Sequence, residues 1–155
     1  MYIFSGPTHT GKTTLLEKWI DKMRSVDGIL TPVKNNKRYI KYISSGEMYL
    51  LESNSNDSEL MQQIGKYKFR TDLFEHAQKY LLSLVDKKPE WIIIDEIGFL
   101  ELNKQGLEPG VSKLIQRLEG KRDVNLLLVI RNYLKEEVIN YYKLNVNDIK
   151  DFELE

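Results

Sequence analysis

Residues 6–13 read Gly-Pro-Thr-His-Thr-Gly-Lys-Thr, which satisfies the spacing G-x-x-x-x-G-K-[ST] in full. Glycines at those places let the backbone curl until successive N–H groups point inward and form an anion nest. Ahead of the segment, Tyr2, Ile3 and Phe4 form a short β-prone run; behind it, Leu15, Leu16, Trp19, Ile20 and Met23 recur at helical spacing between Lys12 and Arg24. A strand that runs into such a nest and out into a helix adds the positive end of the helix dipole to the inward N–H groups. The anion that fits is a phosphate chain. Gly6, Pro7, Thr8, His9, Thr10, Gly11, Lys12, Thr13 and Thr14 are therefore expected to bind a nucleotide. Lys12 is placed to bridge β- and γ-phosphate oxygens, and the Thr13 hydroxyl to ligate Mg²⁺. His9 fills one of the variable positions, where the backbone does the binding, and reads as a ring near the phosphates rather than a catalytic group.

The rest of the chain repeats the strand–helix alternation. Residues 28–33 read as a strand, and Arg38–Ile43 with Met48–Leu51 as a hairpin. Residues 53–58 carry no apolar side chain and read as a mobile loop, and Tyr67–Phe69 as a short strand. Asp72–Val85 has helical spacing, with Thr71 as the expected N-cap. Trp91–Ile94 and Val124–Ile130 are continuous apolar runs, as strands covered on both faces require. Val111 to Leu118 and Leu134 to Tyr142 read as helices, while the last dozen residues fit either strand or helix. Alternation of this kind points to an α/β domain with a mostly parallel sheet, whose ligands sit beyond the carboxyl ends of the strands.

Composition closes off other classes. A chain of 155 residues fits one domain spanning residues 1–155, without need of metal or disulfides for folding, and it contains no cysteine. Lys+Arg and Asp+Glu both number 23, so there is no global attraction to nucleic acid or to an anionic membrane. The apolar runs are too short to span a bilayer, and the N-terminus lacks a basic region followed by a long apolar stretch. The expectation is a cytoplasmic protein. Tyr39, Tyr42, Tyr49 and Tyr67, interleaved with Lys34, Lys37, Arg38, Lys41, Lys66, Lys68 and Arg70, form one basic-aromatic region. Bases could stack there, but tyrosine also suits a solvated hairpin face, and that reading is preferred.

The run Trp91-Ile92-Ile93-Ile94 ends in Asp95-Glu96. A parallel strand near the phosphate loop delivers those carboxylates to the metal and the γ-phosphate: Asp95 to orient the metal, Glu96 to accept a proton from attacking water. Arg131, at the end of the later buried strand, is the first candidate for a cation on the γ-phosphoryl oxygens, and Arg70 the second. Glu101 fits equally a water network or a salt bridge.

Asp95-Glu96-Ile97-Gly98-Phe99-Leu100-Glu101-Leu102, together with the phosphate loop at the N-terminus, resembles the THEP-type nucleoside-triphosphatase family, whose acidic strand motif is D-E-I-G-x-x-E-L. Phe99 stands where that family often has Lys. The resemblance implies a RecA-like P-loop fold of three α/β layers, with a mostly parallel sheet and a small antiparallel hairpin insertion. It further implies slow, Mg²⁺-dependent hydrolysis of ATP, GTP and other nucleoside triphosphates. Residue by residue, it places Lys12 and Thr13 on phosphate and Mg²⁺, Asp95 near the metal and Glu96 beside the water.

Two other classes share the phosphate loop. A P-loop kinase would pass the γ-phosphate to a small acceptor beneath an arginine-bearing lid; Arg117, Lys121 and Arg122 cluster, but around a turn at Gly120. A nucleotide-binding interaction module would use the tyrosines for a partner. Guanine selectivity would call for N-K-x-D after Ile130, where the chain reads Arg131-Asn132-Tyr133-Leu134. Water as acceptor is favoured by the glutamate beside the metal aspartate.

Overall fold

A computed structural model describes residues 1–7, 11–53, 61–64 and 67–154. The chain runs β1 (Tyr2–Gly6), α1 (Lys12–Ile20) and β2 (Val26–Leu30), then β3 (Val33–Lys34), β4 (Lys37–Tyr42) and β5 (Met48–Leu50). A ribbon of β6 (Met61–Ile64) and β7 (Tyr67–Arg70) leads into α2 (Thr71–Lys87), β8 (Trp91–Ile97) and α3 (Phe99–Leu102). It closes with α4 (Gly110–Leu118), β9 (Asn125–Arg131), α5 (Lys135–Tyr141) and β10 (Lys150–Asp151). The main sheet has the order β10-β1-β9-β8-β2-β4-β3, with β5 on β4 and the β6–β7 pair separate. The five strands from β10 to β2 are parallel; β4 joins antiparallel to β2 and forms the expected hairpin with β5.

Alternation sorts the apolar runs into two cores, because successive strand side chains point to opposite faces. Ile92, Ile94, Leu126 and Leu128 pack on the face covered by α2 and α4, against Leu81, Leu84, Val111 and Leu114. Trp91, Ile93, Leu127 and Val129 face α1, against Leu16, Trp19 and Phe152. Each such side chain, fully buried, contributes about 1.5–3 kcal/mol, which is why β8 and β9 read as unbroken apolar runs.

Four sequence expectations are corrected. The strand through Trp91 does not stop at Ile94 but continues to Ile97, with a bulge: Asp95 is opposite Val129 and Ile97 opposite Ile130, leaving Glu96 unpaired. That extra residue turns Ile97, due on the α1 face, into the other core. The first helix ends at Ile20, not Arg24, because Lys22 and Met23 donate to Trp19 and Ile20, a tighter i→i−3 closure. The strand of residues 28–33 starts at Val26 and ends at Leu30, before Pro32. Thr71 is the first helical residue; the N-cap is Arg70, with no side-chain cap, and its guanidinium is bonded to Asp72 at 2.6 Å. The tail resolves into β10, paired with β1. Residues 54–58 of the expected loop lie outside the described residues. Among the described residues, no helix is long and apolar enough to cross a membrane.

Candidate active site

β1 delivers Gly6 and Pro7 to one side of the phosphate loop, and Gly11 caps α1 at the other. Gly11 has φ 75° and ψ 25°. A Cβ at Gly11 would meet nothing within 4 Å, so the backbone angle alone calls for glycine there. The N-cap Gly11 has no side chain to cap α1, which leaves its first-turn N–H groups for an anion. Thr8, His9 and Thr10 lie outside the described residues. Thr14 is exposed in the first turn of the helix.

The side chain of Lys12 is drawn back over the loop, where Nζ donates to the Pro7 carbonyl at 2.8 Å and to that of Gly6 at 3.2 Å. The ammonium can exchange these neutral carbonyls for phosphate oxygens, whose full negative charge attracts it more strongly. Thr13 Oγ1 donates to Asp95 Oδ2 at 2.7 Å, joining the start of α1 to the end of β8 across the sheet. The join follows from register: β9 lies between β1 and β8, and odd-numbered β8 residues face α1.

Asp95 is 2% exposed. Burial pushes its carboxyl up to about 6, against the pull of the Thr13 hydroxyl, and the nearby Glu96 carboxylate adds to the rise. A buried carboxylate beside a hydroxyl, with too little positive charge to hold it at its ordinary value, fits a hard divalent cation. Mg²⁺ usually takes only one or two carboxylates together with substrate phosphates. Asp95 and Thr13 would supply that share.

The bulge sends Glu96 away from both cores to the end of the sheet. Its Oε1 lies 3.1 Å from Arg131 Nε at the end of neighbouring β9, and both side chains are partly open to solvent. The Arg131 guanidinium also donates through Nη1 to the Tyr133 hydroxyl at 3.1 Å. Lys12, Thr13, Asp95, Glu96 and Arg131 are thus gathered at the carboxyl ends of β1, β8 and β9. Arg70, the second candidate cation, is held by Asp72 instead.

Glu101 does not join them. Buried at 4% exposure, its carboxylate accepts from the Gly98 N–H at 2.9 Å and the Leu107 N–H at 3.1 Å. It clamps the turn that follows β8. Gly106, at φ +62°, packs so closely that a Cβ would stand 2.4 Å from Glu101 Oε1. Burial pushes the Glu101 carboxyl up to about 7, against the lowering effect of those N–H groups.

The basic cluster weighed as a kinase lid lies elsewhere. Lys121 and Arg122 precede β9, whereas Gly6 is opposite Arg131 at its end, so the cluster occupies the edge of the sheet away from the phosphate loop. In the basic-aromatic region, Tyr42 is buried and its hydroxyl is bonded to exposed His76 at 2.7 Å, while Lys41 is paired with Glu17 at 3.0 Å. One residue escaped the sequence reading. Arg38 on β4 donates through Nη1 to the Thr31 carbonyl at 3.2 Å and hydroxyl at 3.3 Å, on the opposite side of β8 from Arg131. Its only sequence signal was a place in a basic hairpin.

Over residues 1–154 the chain matches the model of a protein family described as NTPase. Two solved structures are similar to it. The crystal structure of THEP1 from the hyperthermophile Aquifex aeolicus superposes with a TM-score of 0.71 at 22% identity, over 99% of this chain and 90% of that one. The solution structure of a human cancer-related nucleoside triphosphatase gives 0.67 at 22% identity, over 98% and 87%. Both likenesses bear out the expected α/β phosphate-loop fold. No curated protein sequence matches.

Proposed function

Because the chain belongs to the NTPase family and is thereby a nucleoside-triphosphate phosphohydrolase, we propose that it hydrolyses nucleoside 5′-triphosphates, ATP and GTP among them, to diphosphate and phosphate in a Mg²⁺-dependent reaction. The observation that carries this reading is the 2.7 Å bond from Thr13 to Asp95. It brings a hydroxyl and a buried carboxylate from distant parts of the sequence to one point beside the phosphate loop. When bound, Mg²⁺ supplies charge neutralisation to the β- and γ-phosphate oxygens.

The chain's own groups do the rest. The loop backbone and the start of α1 hold the phosphates, and Lys12 turns from the Gly6 and Pro7 carbonyls to the β,γ oxygens. Glu96, unpaired in the β8 ladder and reachable by solvent, orients the attacking water and accepts its proton. Arg131 meets charge on the γ-phosphoryl oxygens, which requires it to share or leave Glu96. That exchange frees the carboxylate when the triphosphate arrives.

The test is release of inorganic phosphate from a panel of triphosphates, with and without Mg²⁺ and with candidate small acceptors. Mg²⁺-dependent release without acceptor is the expected outcome. Stoichiometric transfer to an acceptor, with no release in its absence, would replace hydrolysis by a kinase reaction.

A further inference from the structure

We infer that Arg38 is a further catalytic residue, whose guanidinium meets the γ-phosphoryl group from the side of the acid pair opposite Arg131. The inference rests on the hydrolase reading above and adds to it a second cation. The sheet order β9-β8-β2-β4 puts β8 between two strands that carry the arginines to it. Arg131 comes directly from β9. Arg38 comes from β4 and folds back over Thr31, the residue that follows β2.

Charge balance distinguishes Arg38 from three cations weighed above, Lys41, Arg70 and Arg131. Lys41 is paired with Glu17, Arg70 with Asp72 and Arg131 with Glu96. Arg38 is only partly exposed, yet among the described residues no carboxylate lies within ion-pair distance of its side chain. Glu52 accepts from the Arg38 backbone N–H, not from the guanidinium. One guanidinium nitrogen is spent on Thr31; Nε and Nη2 have no hydrogen-bond partner among the described residues. A part-buried cation without a counter-ion calls for an anion. Its field already reaches the Asp95 carboxyl, as does a Thr31 backbone N–H. The anion that arrives at that place in the cycle is the terminal phosphoryl group, whose oxygens gain from preorganised donors in the transition state.

Three variants test the assignment. Arg38→Gln keeps a polar donor without the charge, Arg38→Ala keeps neither, and Arg38→Lys keeps the charge without the fork. Measured on the full chain are kcat, KM, the Kd of Mg²⁺-diphosphate with and without aluminium fluoride, and the thermal midpoint. Loss of one positioned donor gives a drop in kcat of about 10²–10³-fold. That drop is expected for both Arg38→Gln and Arg38→Ala, with diphosphate affinity nearly unchanged. The tightening produced by aluminium fluoride should fall by a similar factor, and Arg38→Lys should recover part of the loss. Wild-type kcat in Arg38→Gln, or undiminished aluminium fluoride tightening, would overturn the assignment and leave Arg38 as a strut for Thr31. A wild-type protein that releases no phosphate would remove the hydrolase reading, and this inference with it.

Discussion

Asp95 and Lys12 show how differently two charged residues of one site are surrounded. Lys12 is supported by carbonyls of its own loop, so its ammonium is in place before any ligand. Asp95 is buried with a hydroxyl and, among the described residues, no cation at bonding distance, so its carboxylate is costly to keep ionised. Their variants should separate accordingly. Lys12→Ala should abolish turnover and weaken triphosphate binding more than diphosphate binding, because the side chain serves the β,γ oxygens. Asp95→Asn should leave a folded protein whose nucleotide affinity is reduced and has lost most of its Mg²⁺ dependence. Nucleotide titration at a series of Mg²⁺ concentrations reads both. Equal affinities with and without Mg²⁺ in the wild type would remove Asp95 from a metal role. These residues were legible in the sequence because glycine spacing and an acid pair after an apolar run each have a local physical cause. Arg38 was not, since its meaning depends on which carboxylates fail to meet it.

At the scale of elements, the turn after β8 is organised by one buried acid. The sequence left Glu101 between a water network and a salt bridge; the fold instead gives its carboxylate backbone N–H partners, which no spacing rule exposes. The bulge at Glu96 was equally hidden, because apolar residues on both sides of the acid pair give the same pattern with or without it. Glu101 makes a pH-dependent contribution whose sign is set by burial. Its folded-state carboxyl is raised from 4.5 to about 7, so between those values the folded chain binds more protons than the unfolded one. Stability from this group is therefore fully present below about 4.5 and lost as pH rises through about 7. Asp95, raised from 3.8 to about 6, acts in the same direction in the metal-free protein. Glu101→Gln should lower stability by about 1–3 kcal/mol, since its NH₂ faces a backbone donor. It should also flatten the decline between pH 5 and pH 8 in urea unfolding; an unchanged decline would assign it to other groups.

Across the whole molecule, the two cores were readable as periodicity and the parallel sheet as alternation, whereas the strand order had to come from packing. That order matters most for chemistry. With β9 between β1 and β8, the phosphate loop, Arg131 and the acid pair open onto one edge, and Lys121 and Arg122 fall on the other. The tail, ambiguous in sequence, finds its place only because β1 offers an open edge to β10. The central claim is that this edge hydrolyses triphosphate with Glu96 as the base. Its most direct test compares Glu96→Gln with the wild type in phosphate release and in Kd for Mg²⁺-triphosphate. The expected result is near-normal affinity with kcat reduced by about 10²–10⁴-fold, the usual effect of losing a positioned base. Turnover at the wild-type rate in Glu96→Gln would contradict it.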